Sequence, residues 1–205
     1  DHRDLHSFPT RRSSDLKAVE EAKKADVTIL FLGGNTKTAG ENKSRTSLDL
    51  PGHQLALAKA IHQTGKPYVV VLIGSQPMAI NYIDKYAPAI LYAGYPGVKG
   101  GLAVADVLFG DYNPGGKLTL TFPKSVGQLP LNFPTKPNAQ TDEGETARIK
   151  GLLYPFGHGL SYTNFSYSNI KVNNKLADQG VVEVTVDVKN AGAKEGDEVV
   201  QLYLR

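Results

Sequence analysis

The sequence predicts an α/β domain with a mostly parallel sheet and helices on both faces (an αβα sandwich), followed by part of an all-β sandwich. Short apolar runs alternate with amphipathic segments in the first part, and parallel strands covered on both faces read as such continuous runs. Apolar and polar residues alternate after Tyr167, which indicates the second part. With 205 residues, 40% of them hydrophobic, the chain is long enough to bury a core without disulfides.

The first predicted elements are a helix over Leu16–Ala25 and a buried strand over Val27–Leu32. Gly33–Leu50 is polar and rich in Gly and Thr, and its length is typical of a functional loop. Pro51–Thr64 follows as a second helix, because Pro suits the first turn and the Gly65–Pro67 segment ends it.

The same alternation continues along the chain. Tyr68–Ile73 and Ala89–Ala93 predict two more buried strands, and helices are predicted over Ala79–Tyr86 and Leu102–Leu108. Lys117–Phe122 alternates as a final strand of this domain.

Glycine follows each of the three apolar strands, at Gly33, Gly74 and Gly94. Ligands of open parallel sheets bind beyond the carboxyl ends of the strands. We therefore expect the ligand crevice at the three loops that begin with these glycines.

The composition and the hydrophobic pattern change after Pro123, and this change sets the predicted domain boundaries. Residues 124–151 carry Pro, Asn, Gln, Thr and mixed charges without a period, whereas Val181–Val188 and Glu198–Leu204 alternate as strands. We place the α/β domain at 16–135, a linker or long loop at 136–158 and a truncated all-β domain at 159–205.

The sequence pattern breaks off or changes suddenly at both ends of the chain. Residues 1–15 have no periodicity, and Phe8–Leu16 (FPTRRSSDL) looks like a translated sequencing adapter, so we expect residues 1–15 to be a non-native scar outside the fold. Glu198–Arg205 stops inside a strand-like run. We expect a fragment that is truncated at both ends.

Charge and composition exclude several classes of function. Lys and Arg number 23 against 20 Asp and Glu, and the net charge of +3 predicts no nucleic-acid partner. No apolar run approaches the roughly 20 residues that span a bilayer, so no membrane partner is predicted. The absence of Cys excludes thiolate chemistry, and the five histidines lack metal-ligand spacing, so we predict no metal.

Glu41 is the single carboxylate within Val27–Ser47 and lies on the predicted long loop. A carboxyl at the mouth of a parallel sheet suits a general acid, which must keep its proton near neutral pH. The neighbouring Lys37, Lys43 and Arg45 favour the ionised form of a carboxyl instead. On the residues alone, a solvated surface Glu outweighs a catalytic one.

Several long motifs, in order, resemble glycoside hydrolase family 3. They are Ala39–Gln54 (AGENKSRTSLDLPGHQ), Thr64–Pro67 (TGKP), Ala105–Leu118 (ADVLFGDYNPGGKL), Phe122–Pro130 (FPKSVGQLP) and Tyr154–Thr163 (YPFGHGLSYT). His158 stands where Tyr is commoner in the last motif. The resemblance runs from about Leu16 to Arg205. Within the family, the chain is similar above all to periplasmic β-glucosidases of Gram-negative bacteria.

The resemblance implies an enzyme of several domains. Family members pair an N-terminal (β/α)8 barrel with an α/β sandwich domain, and many add a fibronectin type III-like domain, so this chain corresponds to the second domain and the start of the third. It implies a retaining, exo-acting β-glucosidase acting on a β-glucoside or oligosaccharide without a cofactor, in the periplasm or outside the cell. The missing barrel carries the Asp nucleophile, Glu41 aligns with the acid/base, and Arg45 binds substrate or positions the loop.

Two alternatives stay open. The first, within the family, is that the substrate carries xylose and the enzyme is a β-xylosidase. Outside it, the chain is a non-catalytic α/β ligand-binding or structural module. Tyr92, Tyr95 and Tyr112 are candidates to stack on a sugar, although packing in the core or in turns is the more frequent role of such rings.

Overall fold

A computed structural model describes residues 13–131, 133, 149, 151–173 and 180–204. The chain divides into two compact units, one within Asp1–Gly100 and Leu120–Pro155 and the other within Gly101–Thr119 and Phe156–Arg205. The helices are α1 (Ser13–Lys24), α2 (Gln54–His62), α3 (Asn81–Tyr86) and α4 (Gly100–Phe109), and the strands are β1 (Thr28–Gly33), β2 (Tyr68–Ile73), β3 (Ala89–Gly94), β4 (Phe165–Asn173) and β5 (Glu183–Asn190).

The first unit contains the predicted parallel sheet, with the strand order β1-β2-β3. Thr28 pairs with Tyr68 at the start of β1, and Val69 pairs with Ala89 at the start of β3, both in parallel register. The α/β fold class is therefore confirmed. Helix α1 begins at Ser13, inside the segment that we expected to lie outside the fold.

The core of this unit lies between the sheet and its helices, with α2 packed against α1, α3 and β1. Its buried members are Ala22, Leu30, Leu32, Leu50, Ala58, Ile61, Tyr68, Val70, Leu72, Met78, Ile80 and Ile83. Strand β2 is the central strand and is the most completely buried, as its apolar run predicts. In β1, by contrast, Ile29 and Phe31 are 40% and 58% exposed, so this apolar run is covered on one face only.

The strand predicted over Lys117–Phe122 does not form. The segment satisfies its backbone in separate contacts instead: the Leu118 amide donates to the His158 carbonyl, and the Gly157 amide donates to the Leu118 carbonyl. Phe122 makes one isolated antiparallel bridge with Tyr154. A strand needs a continuous partner, and these single contacts do not supply one.

The second unit contains α4 and the antiparallel pair β4–β5, in which most side chains are exposed. Asn113 is a buried polar residue of this unit and is 6% exposed. The Asn113 amide nitrogen donates to the Glu195 carbonyl at 2.9 Å, and its oxygen accepts from the Ser161 hydroxyl at 2.8 Å and the Tyr162 amide at 2.7 Å. One buried side chain thus joins three segments of the chain.

Two sequence predictions for the C-terminal part have different outcomes. The strand over Val181–Val188 forms as β5. The strand over Glu198–Leu204 is absent, because no neighbouring strand pairs with it in the described part of the chain. The domain boundaries and the fibronectin type III-like assignment stay predictions, and most of the scar at 1–15 and of the linker at 136–158 lies outside the described residues.

No helix among the residues that the structure describes combines the length and the apolar character needed to cross a membrane.

Candidate functional site

A cavity of about 210 Å³ lies in the first unit, at the carboxyl ends of its strands. Its lining comes from the segments that follow β1, β2 and β3, as predicted from the three glycines. The lining residues are Gly34, Thr38, Ala39, Gly40, Lys43, Arg45, Gly74, Ser75, Gln76, Met78 and Tyr95. The volume is at the small end for ligand sites and suits a single ring rather than a long chain.

Gly33 and Gln54 hold the start of the long loop. The Gln54 side-chain nitrogen donates to the Gly33 carbonyl at 2.9 Å, and its oxygen accepts from the Gly33 amide at 2.7 Å. Gly33 has a φ of +128°, and a Cβ there would lie 1.9 Å from the Ile73 carbonyl oxygen, so this position accepts glycine alone. A side chain of α2 therefore anchors the end of β1.

The loop itself is ordered by short-range contacts. Asn35 and Thr38 close a turn, in which the Asn35 amide donates to the Thr38 hydroxyl at 2.9 Å and the Thr38 amide to the Asn35 carbonyl at 2.9 Å. Further along, the Ala79 amide donates to the Leu48 carbonyl at 3.0 Å. The loop is thus held at its start by the contact of Gln54 with Gly33 and near its end by the contact of Ala79 with Leu48.

Glu41 lies on this loop, next to the cavity. Gly40 precedes it with a φ of +123° and Asn42 follows it with a φ of +57°, so the backbone turns sharply on both sides of the carboxyl. Gly40 and Lys43 line the cavity, whereas the exposed Glu41 side chain is not part of the lining. Among the described residues it has no hydrogen bond or ion pair and is free to meet a ligand or another domain.

Arg45 lines the cavity and also holds the loop. Its guanidinium donates to the Asp49 carbonyl oxygen, four residues further along. Asp49 is in turn fixed by Ser47, whose hydroxyl donates to the Asp49 carboxylate at 2.7 Å and accepts from the Asp49 amide at 3.0 Å. The structure therefore brings Arg45 and the loop of Glu41 to the same cavity.

The three candidate tyrosines lie in different environments in the structure. Tyr95 lines the cavity and is 56% exposed. Tyr92 donates to the Gly74 carbonyl at 2.8 Å, and burial raises the pKa of its hydroxyl, as expected of a packing residue. Tyr112 donates to the Asp197 carboxylate at 3.4 Å in the second unit. Tyr95 alone of the three lines the cavity.

The described residues contain no group of three or more His, Cys, Asp or Glu side chains that could hold a metal ion. His62 packs among Tyr68, Tyr82 and Tyr86, with its ring centre 4.9 Å from that of Tyr86.

Sequence reasoning missed part of the site. Ser75 and Gln76 line the cavity, although no motif in the sequence singles them out. Gln54 closes the quoted AGENKSRTSLDLPGHQ motif, but its anchoring role depends on a contact across 21 residues. The available signal was the position of Gly74 after a buried strand, which places the next residues at the binding edge of a parallel sheet.

The chain is similar to known glycosidases along most of its length. The model of the glycosyl hydrolase family 3 C-terminal domain matches residues 7–162. A β-xylosidase from Formosa agariphila is 47% identical over 92% of this chain and 27% of its own length. A periplasmic β-glucosidase from Salmonella typhimurium is 42% identical over 92% of this chain and 26% of its own length. The chain thus spans about a quarter of the length of these curated relatives.

Solved structures of the same kind share the fold. A β-glucosidase from Erythrobacter marinus superposes with a TM-score of 0.76 and 38% identity, over 87% of this chain and 24% of its own. A mutant β-glucosidase from Listeria innocua, solved in complex with laminaribiose, has a TM-score of 0.68 and 28% identity, over 80% of this chain and 24% of its own.

Proposed function

Because the chain belongs to glycosyl hydrolase family 3, we propose that it forms part of a retaining, exo-acting β-glycosidase that hydrolyses terminal β-D-glucosyl residues. The relatives named β-glucosidases support this choice of sugar. Since this chain spans about a quarter of those relatives, the rest of the active site comes from a separate domain, in our proposal the N-terminal (β/α)8 barrel.

The observation that carries the proposal is the position of Glu41. Its loop follows β1 at the carboxyl edge of the parallel sheet, where the cavity lies, and its side chain is exposed and unpaired among the described residues. A carboxyl that serves a substrate bound mainly by another domain must be presented outward in this way. Arg45 supports the same function as a positioning residue, because it ties the loop to the Asp49 carbonyl.

Retaining glycosidases use two carboxyl groups about 5–5.5 Å apart, one on each side of the scissile bond. In the first step the nucleophile, an Asp of the barrel, attacks the anomeric carbon while Glu41 gives its proton to the departing glycosidic oxygen. In the second step the ionised Glu41 takes a proton from water, whose oxygen attacks the anomeric carbon and releases the nucleophile. Glu41 thus ends the cycle protonated, and no cofactor enters the balance.

The proposal is tested with Glu41→Ala in the complete enzyme. Loss of general acid catalysis lowers the rate by about 10²–10⁴-fold where the leaving group is poor. Aryl β-glucosides with good leaving groups need little protonation, so their first step is spared, and azide partly restores turnover by replacing water. The measurement is kcat/KM over a series of aryl glucosides, with the exposed Glu20→Ala as the matched control.

Equal losses for good and poor leaving groups would remove the acid/base role from Glu41. The 205-residue chain alone should be inactive, because only one of the two carboxyl groups is present in our proposal. Turnover of an aryl β-glucoside by the purified chain would contradict the division of the site between two domains.

β-Xylosidase activity is the second candidate, and the 47% identity to the Formosa agariphila β-xylosidase favours it. The two activities are distinguished by the ratio of kcat/KM for 4-nitrophenyl β-glucoside and β-xyloside in the complete enzyme. A non-catalytic module predicts no turnover of either substrate. The periplasmic relative further supports a periplasmic location, which fractionation of the native host tests.

A further inference from the structure

The cavity beside Glu41 carries two cations and no anion. Lys43 and Arg45 both contribute to the lining, and no Asp or Glu belongs to it among the described residues. The other polar lining side chains are the neutral Thr38, Ser75 and Gln76. A small concave site with charge of one sign raises the local concentration of the opposite charge.

Neither cation forms an ion pair with another described residue. The Arg45 guanidinium donates to a backbone carbonyl, and Lys43 has no hydrogen bond or ion pair in the described part of the chain. The ion pairs found in that part join Lys24 to Glu21 and Lys117 to Glu198 instead. The Lys43 side chain passes near Gly40, where a Cβ would lie 3.8 Å from the Lys43 Cγ. The aliphatic part of the Lys43 side chain therefore lies close to the turn that presents Glu41.

We propose that this cavity receives a leaving group that bears a carboxylate, held by Lys43 and Arg45. The inference rests on the proposed function, because only a glycosidase makes the occupant of this cavity a leaving group. Arg forms two parallel hydrogen bonds with a carboxylate and Lys adds a mobile charge, so together they favour an anion over a neutral ring. The neutral side chains can form hydrogen bonds with hydroxyl groups of the bound ring, and the Tyr95 ring can stack on its face.

A carboxylate on a single ring has two sources, a uronic acid sugar and an aromatic acid. The volume of about 210 Å³ admits one ring of either kind. Hydroxyl-bearing rings use the neutral polar groups, whereas an aromatic acid depends on Tyr95. D-Glucuronate and 4-hydroxybenzoate are the two anionic probes, and D-glucose and phenol are their uncharged counterparts.

The experiment titrates the purified 205-residue chain with each probe and follows binding by NMR at low and at high salt. We expect at least one anion to bind about tenfold more tightly than its uncharged counterpart at low ionic strength, with the difference shrinking in 0.5 M NaCl. Lys43→Gln weakens anion binding by about three- to fivefold and Lys43→Glu by more. Lys37→Gln, an exposed lysine of the same loop outside the lining, leaves binding unchanged.

The proposal fails if anions and neutral probes bind equally, if nothing binds, or if Lys37→Gln weakens binding as much as Lys43→Gln. Amide spectra that superpose with those of the parent chain show that each variant is folded. If a Lys43 variant does not fold, the salt dependence of the parent chain decides between the outcomes. The Glu41 test compares good and poor aryl leaving groups and needs no carboxylate on them, so failure of anion selectivity leaves that test intact and the two results are separable.

Discussion

The interiors of the two units are stabilised by different interactions. In the first, the buried residues of the sheet and helices are almost all apolar, and Val70 and Val71 of the central strand are fully buried. In the second, the buried side chains include the polar Asn113 and Thr163, while β4 and β5 leave most of their side chains exposed. Apolar packing is non-directional, whereas each polar contact depends on one geometry.

The contrast has a consequence for mutational tolerance. A core of many apolar neighbours loses stability in proportion to the volume removed, so its response to mutation is graded. A buried hydrogen-bonded hub leaves unsatisfied groups behind when it is removed, so its response is local and severe. The four predictions that follow test this difference, from the largest expected effect to the smallest.

Leu72→Ala in β2 should lower the free energy of unfolding by about 2–5 kcal/mol, because the deleted carbons leave a cavity in the first unit. Urea unfolding followed by circular dichroism measures it. Leu160→Ala, at a residue that is 80% exposed, serves as the control and should change stability by less than about 0.5 kcal/mol. Similar losses at the two sites would mean that the sheet is not the stable part of the chain.

Asn113→Ala should cost about 1–3 kcal/mol in the second unit, because the part-buried Tyr162 amide and Glu195 carbonyl lose their partner. Hydrogen exchange of peptides from Gly101–Thr119 and Phe156–Thr163 should speed up, while exchange in β2 stays unchanged. Asn164→Ala is the matched control at an exposed asparagine. A uniform rise in exchange across both units would contradict the local character of this contact.

Tyr154 should make the first unit less stable at high pH. Burial, followed by the hydrogen bond that it donates to Asp84, raises the pKa of the Tyr154 hydroxyl above its ordinary value of 10.0. The folded state therefore keeps the proton when the unfolded state loses it, and stability present below pH 10 falls as the pH rises further. Urea midpoints at pH 8 and pH 11 should differ less in Tyr154→Phe than in the parent chain, and parallel curves would refute the assignment.

Glu21→Gln should change stability by no more than about 0.5 kcal/mol. The Glu21–Lys24 ion pair on α1 is 2.8 Å long, but its side chains are 73% and 69% exposed. Water and salt screen such a pair, so thermal unfolding at low and high ionic strength should give almost the same shift. A loss above 1 kcal/mol would show that α1 is more sensitive to surface charge than the core packing implies.

The sequence predicted the sheet of the first unit well because its signal is local. Val69–Leu72 is apolar without interruption, and such a run has few stable environments other than the centre of a sheet. The site could be located to the edge of that sheet for the same reason, since parallel strands end together. Glu41 stands out as the single carboxylate within Val27–Ser47, and its catalytic role remains our proposal.

The failures concern contacts between distant parts of the chain. Lys117–Phe122 has a strand pattern, but its backbone partners are single residues of the 153–158 segment, and a local pattern cannot show that a neighbouring strand is missing. Gln54 reads as an ordinary helical residue until Gly33 is placed beside it. Ser75 and Gln76 likewise enter the cavity because three loops converge, which depends on the packing of the whole unit.

The loop that carries Glu41 is attached to the rest of the first unit at both of its ends. Gln54 secures the beginning at Gly33, and the contact of Leu48 with Ala79 secures the end. The residues between these anchors are held by short-range contacts of their own, and lengthening the loop costs only a slowly rising closure entropy. Insertions or deletions between the anchors can therefore change the size of the cavity, while the hydrophobic core beneath the loop stays unchanged.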